Sequence, residues 1–131
     1  MNRMIFVNLP VADVEASKAF YTGLGFGLNP EFCDESTVCV VISDTIVVMA
    51  LRRDRFADFV AGPVGDPTAS TTTINCLSAE SPDEVDALVE RALRHGGRRW
   101  LDKMVDGPMY GHSFADPDGH VWEVLHMAQP A

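Results

Sequence analysis

The carboxylate of Glu123 is the side chain whose sequence setting most suggests chemistry. It lies within residues 116–127, where the turn sequence Asp-Pro-Asp-Gly precedes a run rich in apolar residues. Proline presets φ in such a turn and glycine relieves its exit, so a strand is predicted to begin at His120. Side chains alternate along a strand, which places Glu123 between Val121 and Leu125 on one face. This carboxylate either points into a polar cavity or lies on a solvated sheet surface, because burying it unpaired is costly.

The histidines and cysteines do not indicate nucleophilic catalysis. No histidine stands at a recognisable catalytic spacing from a cysteine or serine. His112 shares a predicted strand face with Tyr110, so it either reaches the rim of a cavity or is structural or solvent-exposed. The three cysteines contain no CxxC pair and leave one thiol over in any disulfide scheme, so reduced thiols and no structural zinc are predicted.

The composition narrows the class of partner. A chain of 131 residues fits one domain, and 47% hydrophobic with 22% charged residues is a globular balance. The net charge of −9 argues against nucleic acid and anionic membrane surfaces, which require basic patches. No apolar run approaches the roughly 20 residues that span a bilayer, and no signal peptide is recognisable. We therefore expect a cytoplasmic protein whose partner is a small molecule or another protein.

Each half of the chain is predicted to contain a βαβββ module. In the first half, strand 4–9 precedes a helix capped by Asp13, and strands follow near 27–32, 37–42 and 46–51. In the second half, strand 71–79 precedes a helix that starts at a capping box at 81–84, followed by strands near 98–104, 109–115 and 120–127. Two modules with the same order indicate a structural duplication.

The predicted organisation is one domain, 1–131, with a first module at 1–52, a linker at 53–70 and a second module at 71–131. Each module alone is near the lower size limit for an independent core, so the two are expected to close one continuous sheet around a shared cavity. The linker is rich in glycine and proline and unusually long for a compact domain. It is either a lid over a ligand or a plain crossover between modules.

Both ends of the chain resemble the vicinal oxygen chelate superfamily, which includes glyoxalase I, bleomycin-resistance proteins and extradiol dioxygenases. The similar segments are 6–21 with Leu24-Gly25-Phe26, and 107–111 with 113–123. The resemblance implies an α+β fold in which two βαβββ modules form a cupped sheet around a ligand cavity. It also implies a homodimer, the usual assembly in the family.

The same resemblance bears on metal binding. Metal-dependent members place one ligand on the first and last strand of each module, typically His, Glu, His and Glu. Glu123 matches the last position, whereas Phe6 occupies the first, and Thr73 or Asn75 occupies its counterpart in the second module. The remaining position lies in the apolar run 47–51. Because three of four positions are unmatched, no metal cofactor is predicted.

A small-molecule site without a metal is therefore expected in the cavity. Mostly apolar walls with a few convergent polar groups are typical of such sites. The predicted contacts are Phe6, Asn8, Met49, Thr73, Asn75, Tyr110 and His112, together with Glu123. Two hypotheses remain open. The protein either binds a ligand through Glu123, or is a lactoylglutathione lyase-like or other isomerase, lyase or dioxygenase that uses Glu123 as general base or metal ligand.

Overall fold

The computed structural model describes residues 2–128 and divides the chain between Asp66 and Pro67 into two units. Each unit contains one helix-bearing sheet built on the predicted βαβββ plan. The division falls inside the predicted linker, so residues 53–66 belong to the first unit rather than to a separate connection.

The first unit is a four-stranded sheet with one long helix. Its elements are β1 (Ile5–Val11), α1 (Val14–Gly23), β2 (Gly27–Leu28), a 3₁₀ turn (Pro30–Phe32), β3 (Thr37–Ser43), β4 (Ile46–Arg52), α2 (Arg53–Phe56) and a second 3₁₀ turn (Ala57–Phe59). The strand order is β1-β4-β3-β2, with β1 parallel to β4 and the other pairs antiparallel. The strand predicted at 27–32 is shorter than expected, because Pro30 has no N–H to donate and begins the 3₁₀ turn.

Helix α1 forms where the sequence predicts it. The Asp13 carboxylate accepts the backbone N–H groups of Glu15 and Ala16, at 3.0 and 3.4 Å. These bonds satisfy donors that have no partner within the helix. The apolar side of the helix, which includes Phe20 and Tyr21, is buried.

The segment after β4 is held together by Arg53. Its guanidinium donates to the carbonyls of Gly65 and Val64, at 3.0 and 3.3 Å. These bonds tie the start of the predicted linker to residues near the end of the first unit. This segment begins with α2, which continues directly into the second 3₁₀ turn.

The second unit is a five-stranded sheet with one helix. Its elements are β5 (Ile74–Ser78), α3 (Pro82–Arg94), β6 (Arg98–Arg99), β7 (Met104–Asp106), β8 (Met109–Ala115) and β9 (Val121–Met127). The order is β5-β9-β8-β6, β7 also pairs with β8, and β5 is parallel to β9. The strand predicted at 98–104 is split into β6 and β7, because the Leu101 N–H donates to the Ser113 hydroxyl instead of to a strand backbone.

Two local signals shape this unit. Ser81 caps α3 by accepting the Glu84 N–H at 3.1 Å, with Pro82 at the first helical position, as the capping box predicts. The buried Asp116 carboxylate accepts the N–H groups of Asp118 and His120, at 3.0 and 2.8 Å. This carboxylate fixes the turn that leads into β9.

The hydrogen-bonded ladders of residues 2–128 form two sheets, one in each unit. The expected single continuous sheet is therefore replaced by two, because β1 pairs in parallel with β4 and β5 with β9 inside their own modules. In the part of the chain that the structure describes, no helix is long and apolar enough to cross a membrane.

Replacing Ser17 by alanine is expected to stabilise the protein. Ser17 is 1% exposed, and within residues 2–128 its hydroxyl oxygen has no hydrogen-bond partner. Removing a buried unsatisfied hydroxyl from a helix should raise the free energy of unfolding by roughly 1 kcal/mol. Urea denaturation monitored by circular dichroism would measure the change.

A matched serine variant serves as the control for this measurement. Ser81→Ala removes a helix cap and should lower the free energy of unfolding by about 1 kcal/mol. A lower stability in Ser17→Ala would show that this hydroxyl makes a stabilising bond.

Candidate functional site

The register of the second sheet places Glu123 between Cys76 and Ser113. Strand β9 lies between β5 and β8, and the Cα partners of Glu123 on these strands are Cys76 and Ser113. Directly paired residues share a sheet face, so the three polar side chains form one row across the sheet. We call these three residues the Glu123 row.

The thiol of Cys76 donates to the carboxylate of Glu123, with 3.5 Å between Sγ and Oε1. Desolvation of the sulfur, with the hydrogen bond to Glu123 and its negative charge, raises the pKa of the Cys76 thiol to about 11. The thiol is therefore protonated at neutral pH. It acts as a hydrogen-bond donor to the carboxylate rather than as a nucleophile.

Ser113 completes the row on the other side of Glu123 and is buried. Its hydroxyl oxygen accepts the backbone N–H of Leu101 at 3.2 Å. Leu101 lies in the connection between β6 and β7 and its side chain is exposed. This bond fixes the connection beside the strand that carries Ser113.

Apolar side chains surround the Glu123 row on the same face. Ile74 on β5 and Met127 on β9 lie on the same sheet face as Glu123, and they are 55% and 48% exposed. A Cβ added at Gly111 would lie 3.3 Å from the Leu125 side chain and 3.7 Å from that of Met104, so both side chains lie close to this glycine. Glu123 is thus a half-buried carboxylate on an open and largely apolar face.

Tyr110 and His112 lie on the opposite face of the second sheet from Glu123. His112 pairs with Val124 and Tyr110 pairs with His126, so both alternate with the Glu123 row. The Tyr110 hydroxyl lies 2.8 Å from both carboxylate oxygens of Asp86 on α3. The structure therefore does not bring these two predicted contacts together with Glu123.

Tyr110 and His112 instead belong to a charged network beside α3. The Lys103 ammonium nitrogen lies 3.3 Å from Oδ1 of Asp86 and 5.3 Å from the centre of the Tyr110 ring. The hydrogen bond from Tyr110 is the largest cause that lowers the pKa of Asp86. Burial, followed by the charge of Lys103, lowers the pKa of His112. This network links α3 to β8.

Thr73 and Asn75 are also not neighbours of Glu123 in the sheet. Strand β5 begins at Ile74, so Thr73 precedes it, and Asn75 pairs with Trp122 on the face of the α3 network. The register gives the place opposite Glu123 on β5 to Cys76. The sequence does not show which face of this strand is apolar, because the apolar residues Ile74 and Leu77 lie on opposite faces.

Phe6, Asn8 and Met49 share one face of the first sheet. Phe6 pairs with Val47, and Asn8 pairs with Met49, as alternation along the first strand predicts. The ring of Phe6 is 55% exposed, and the Asn8 amide donates to the Phe6 carbonyl at 3.1 Å. Their role in binding a ligand remains a prediction.

The side chains present do not fit the His and Glu chelate of the metal-dependent members of the superfamily that the sequence resembles. Beside Glu123 stand a protonated thiol and a hydroxyl, and Phe6 and Met49 occupy the corresponding strands of the first unit. Among residues 2–128, no group of three His, Cys, Asp or Glu side chains is placed to hold a metal ion. A divalent transition metal requires a richer set of nitrogen, sulfur or carboxylate ligands.

Comparison with known proteins supports the fold inferred from both modules. Residues 3–43 match the bleomycin resistance protein-like N-terminal family. No curated protein matches the chain closely enough to count as a relative. Many solved structures do match, among them three that each cover 96% or more of this chain.

Three of these structures illustrate the range of similarity. Hypothetical protein SA1046 from S. aureus is 28% identical, with a TM-score of 0.80 and coverage of 96% of this chain and 94% of that one. A glyoxalase-related enzyme from Fulvimarina pelagi is 22% identical, with a TM-score of 0.80 and coverage of 96% and 88%. The bleomycin resistance determinant encoded on transposon Tn5 is 20% identical, with a TM-score of 0.67 and coverage of 98% and 100%.

These similarities agree with the sequence features at both ends of the chain and with the paired βαβββ modules. The match at residues 3–43 and the fold shared over nearly all of the chain agree with the resemblance seen in the sequence, and they show that this chain has the glyoxalase/bleomycin-resistance fold.

Proposed function

We propose that the protein binds a small organic molecule on the sheet face around Glu123, without the catalytic metal of its metal-dependent relatives. The observation that carries this proposal is the setting of Glu123, a half-buried carboxylate among exposed apolar side chains. Such a face offers apolar contact area and a fixed polar group that orients a ligand. A ligand with an apolar body and a cationic or hydrogen-bond-donating group fits it best.

The Cys76 thiol supports a binding role for the carboxylate. Its hydrogen bond to Oε1 occupies one carboxylate oxygen, and a carboxylate accepts further hydrogen bonds. Because the thiol stays protonated at neutral pH, Glu123 keeps this donor whether or not a ligand is present. The bond reduces the rotational freedom of the carboxylate, so less entropy is lost when a ligand binds.

The donor set around Glu123 supports the absence of a catalytic metal. Its cross-strand neighbours contribute one protonated thiol and one hydroxyl that already accepts a backbone N–H. A thiol binds metal as the thiolate, and a pKa of about 11 makes that form costly at neutral pH.

An enzyme that uses Glu123 as a general base is the second candidate function. Its supporting observation is the exposure of the carboxylate on an apolar face, where a substrate could place a C–H bond beside it. The solved relatives point in both directions, since one is a bleomycin resistance determinant and another a glyoxalase-related enzyme. In this chain the base would act without a metal.

We also infer a cytoplasmic homodimer. Exposed apolar side chains on the strands, such as Phe6 and Ile74, support association, because monomers rarely expose large apolar patches. The free state of Cys33, Cys39 and Cys76 supports a reducing compartment.

Sedimentation equilibrium should give twice the chain mass, and a monomer at micromolar concentration would contradict the dimer.

Glu123→Gln should weaken ligand binding. Bleomycin and a panel of small apolar amines are suitable probes, measured by isothermal titration calorimetry. Loss of the charge should weaken the binding of a cationic probe about tenfold or more, since an ionic hydrogen bond contributes roughly 1.5–3 kcal/mol. Glu90→Gln is the matched control, because Glu90 lies on α3 and pairs with Arg94 at 2.9 Å.

The same variants separate binding from catalysis. A binding protein should show no turnover of any bound probe and no formation of S-lactoylglutathione from methylglyoxal and glutathione. An enzyme would instead lose rate in Glu123→Gln while keeping its affinity. If the wild type bound none of the probes, or if Glu90→Gln weakened binding equally, the role of Glu123 would be refuted.

Alkylation of Cys76 should report the contact with Glu123. Because its thiol has a pKa of about 11, the rate with iodoacetamide should rise about tenfold per pH unit from neutrality towards that value. In Glu123→Gln the carboxylate charge is lost, so the pKa should fall and the rate at neutral pH should rise. Peptide mass spectrometry measures the rate at Cys76 alone, and a plateau near pH 8.5, the ordinary thiol value, would contradict the contact.

A further inference from the structure

A second pair of thiols lies in the first unit, where β2 ends. Asn29 follows β2, and its N–H donates to the carbonyl of Cys39 on β3 at 3.0 Å. The reciprocal bond of an antiparallel ladder would join the Cys39 N–H to the Asn29 carbonyl. Here the sulfur of Cys33 stands between those two groups.

The Cys33 sulfur makes both of the bonds that replace this ladder bond. It accepts the Cys39 N–H at 3.3 Å, and its S–H donates to the Asn29 carbonyl at 3.2 Å. Cys33 is thus held against the backbone of the residue that carries the second thiol. The ladder between β2 and β3 depends on a sulfur at this point.

The turn between the two cysteines is well ordered by its own hydrogen bonds. The Asp34 carboxylate accepts both the N–H and the hydroxyl of Ser36, at 2.8 and 3.0 Å. Asp34 also forms a bridge with Thr37, through a 3.0 Å bond from its N–H to the Thr37 carbonyl. These contacts fix the short loop between Cys33 and Cys39.

We propose that Cys33 and Cys39 form a peroxide-sensitive dithiol that closes reversibly into a disulfide. Their environments suit the two roles that this reaction requires, an attacking thiol at Cys33 and a resolving thiol at Cys39. Cys33 is half-buried and accessible, whereas Cys39 is buried at 4% exposure on the adjacent strand. Neither role depends on Glu123 or on the function proposed for its sheet face.

The chemistry requires only a peroxide as oxidant. The Cys33 sulfur attacks one peroxide oxygen, so that an S–O bond forms, the O–O bond breaks and water leaves once the protons are transferred. The Cys39 sulfur then attacks the resulting sulfenic acid, an S–S bond forms and a second water leaves. Two thiols lose two electrons and two protons in total, and the peroxide is reduced to two waters. Burial, followed by the neighbouring Cys33, raises the pKa of Cys39, which makes it the resolving rather than the attacking thiol.

Formation of the disulfide removes the thiol hydrogen that Cys33 donates to the Asn29 carbonyl. It also draws the sulfur away from the Cys39 N–H, because the new bond must adopt disulfide geometry. The connection between β2 and β3 should therefore loosen in the oxidised form. Cys39 pairs with Met49 on β4, so the change reaches the sheet face that carries Asn8 and Phe6.

The test uses the full wild-type chain treated with hydrogen peroxide, followed by N-ethylmaleimide to block remaining thiols and by peptide mapping. We expect a link between Cys33 and Cys39, with the loss of two hydrogens, that dithiothreitol reverses. The link should also form in Cys76→Ser and be absent in Cys33→Ser. Serine is the matched replacement, because its hydroxyl can both donate and accept at this position.

Three results would overturn the proposal. The first is that Cys33 and Cys39 both remain free thiols at a peroxide concentration that oxidises glutathione added to the same sample. The second is oxidation of Cys33 to a sulfinic acid while Cys39 stays free, and the third is a link between chains or to Cys76. Hydrogen exchange tests the loosening of the strands, because the Cys39 amide should exchange about tenfold faster in the linked form than in the reduced one. An unchanged rate would refute that loosening.

Discussion

The register of β5, β9 and β8 is the constraint on which the candidate site depends. Side chains alternate strictly along each strand, so a shift of one residue would move every side chain of a strand to the other face. In the observed pairing, Glu123 meets Cys76 and Ser113, while Trp122 and Val124 point to the α3 side of the sheet. The same pairing gives Glu123 an apolar surround and gives Tyr110 an acidic partner on α3.

Most of the fold could be predicted from the sequence, because its signals are local. Asp13 and Ser81 mark helix starts through the bonds that their side chains make, and the turn before β9 follows from Asp116 and Gly119. The splitting of the strand after α3 could not be predicted in this way. It depends on a bond between Leu101 and Ser113, which are far apart in sequence.

The site could be predicted less completely than the fold, for a related physical reason. The position of Glu123 and the shared strand face of Phe6 and Asn8 follow from single strands, and the structure places these residues on the expected sides of their strands. The neighbours of Glu123 depend on which residue of β5 stands opposite it. Asn75 is suitable by residue type, yet the parallel pairing of β5 with β9 selects Cys76. The sequence alone does not mark Cys76 as a site residue, because its role arises only from its distance to the Glu123 carboxylate.

The hydrogen bond between Ser113 and Leu101 fixes the position of a connection without fixing the side chains that the connection carries. It fixes the backbone of the connection between β6 and β7 through a hydroxyl and an amide, and uses neither the indole of Trp100 nor the side chain of Leu101. Both side chains can therefore vary during evolution without displacing the strand that carries Ser113. Substitutions at these two exposed positions should therefore leave the position of the Glu123 carboxylate unchanged.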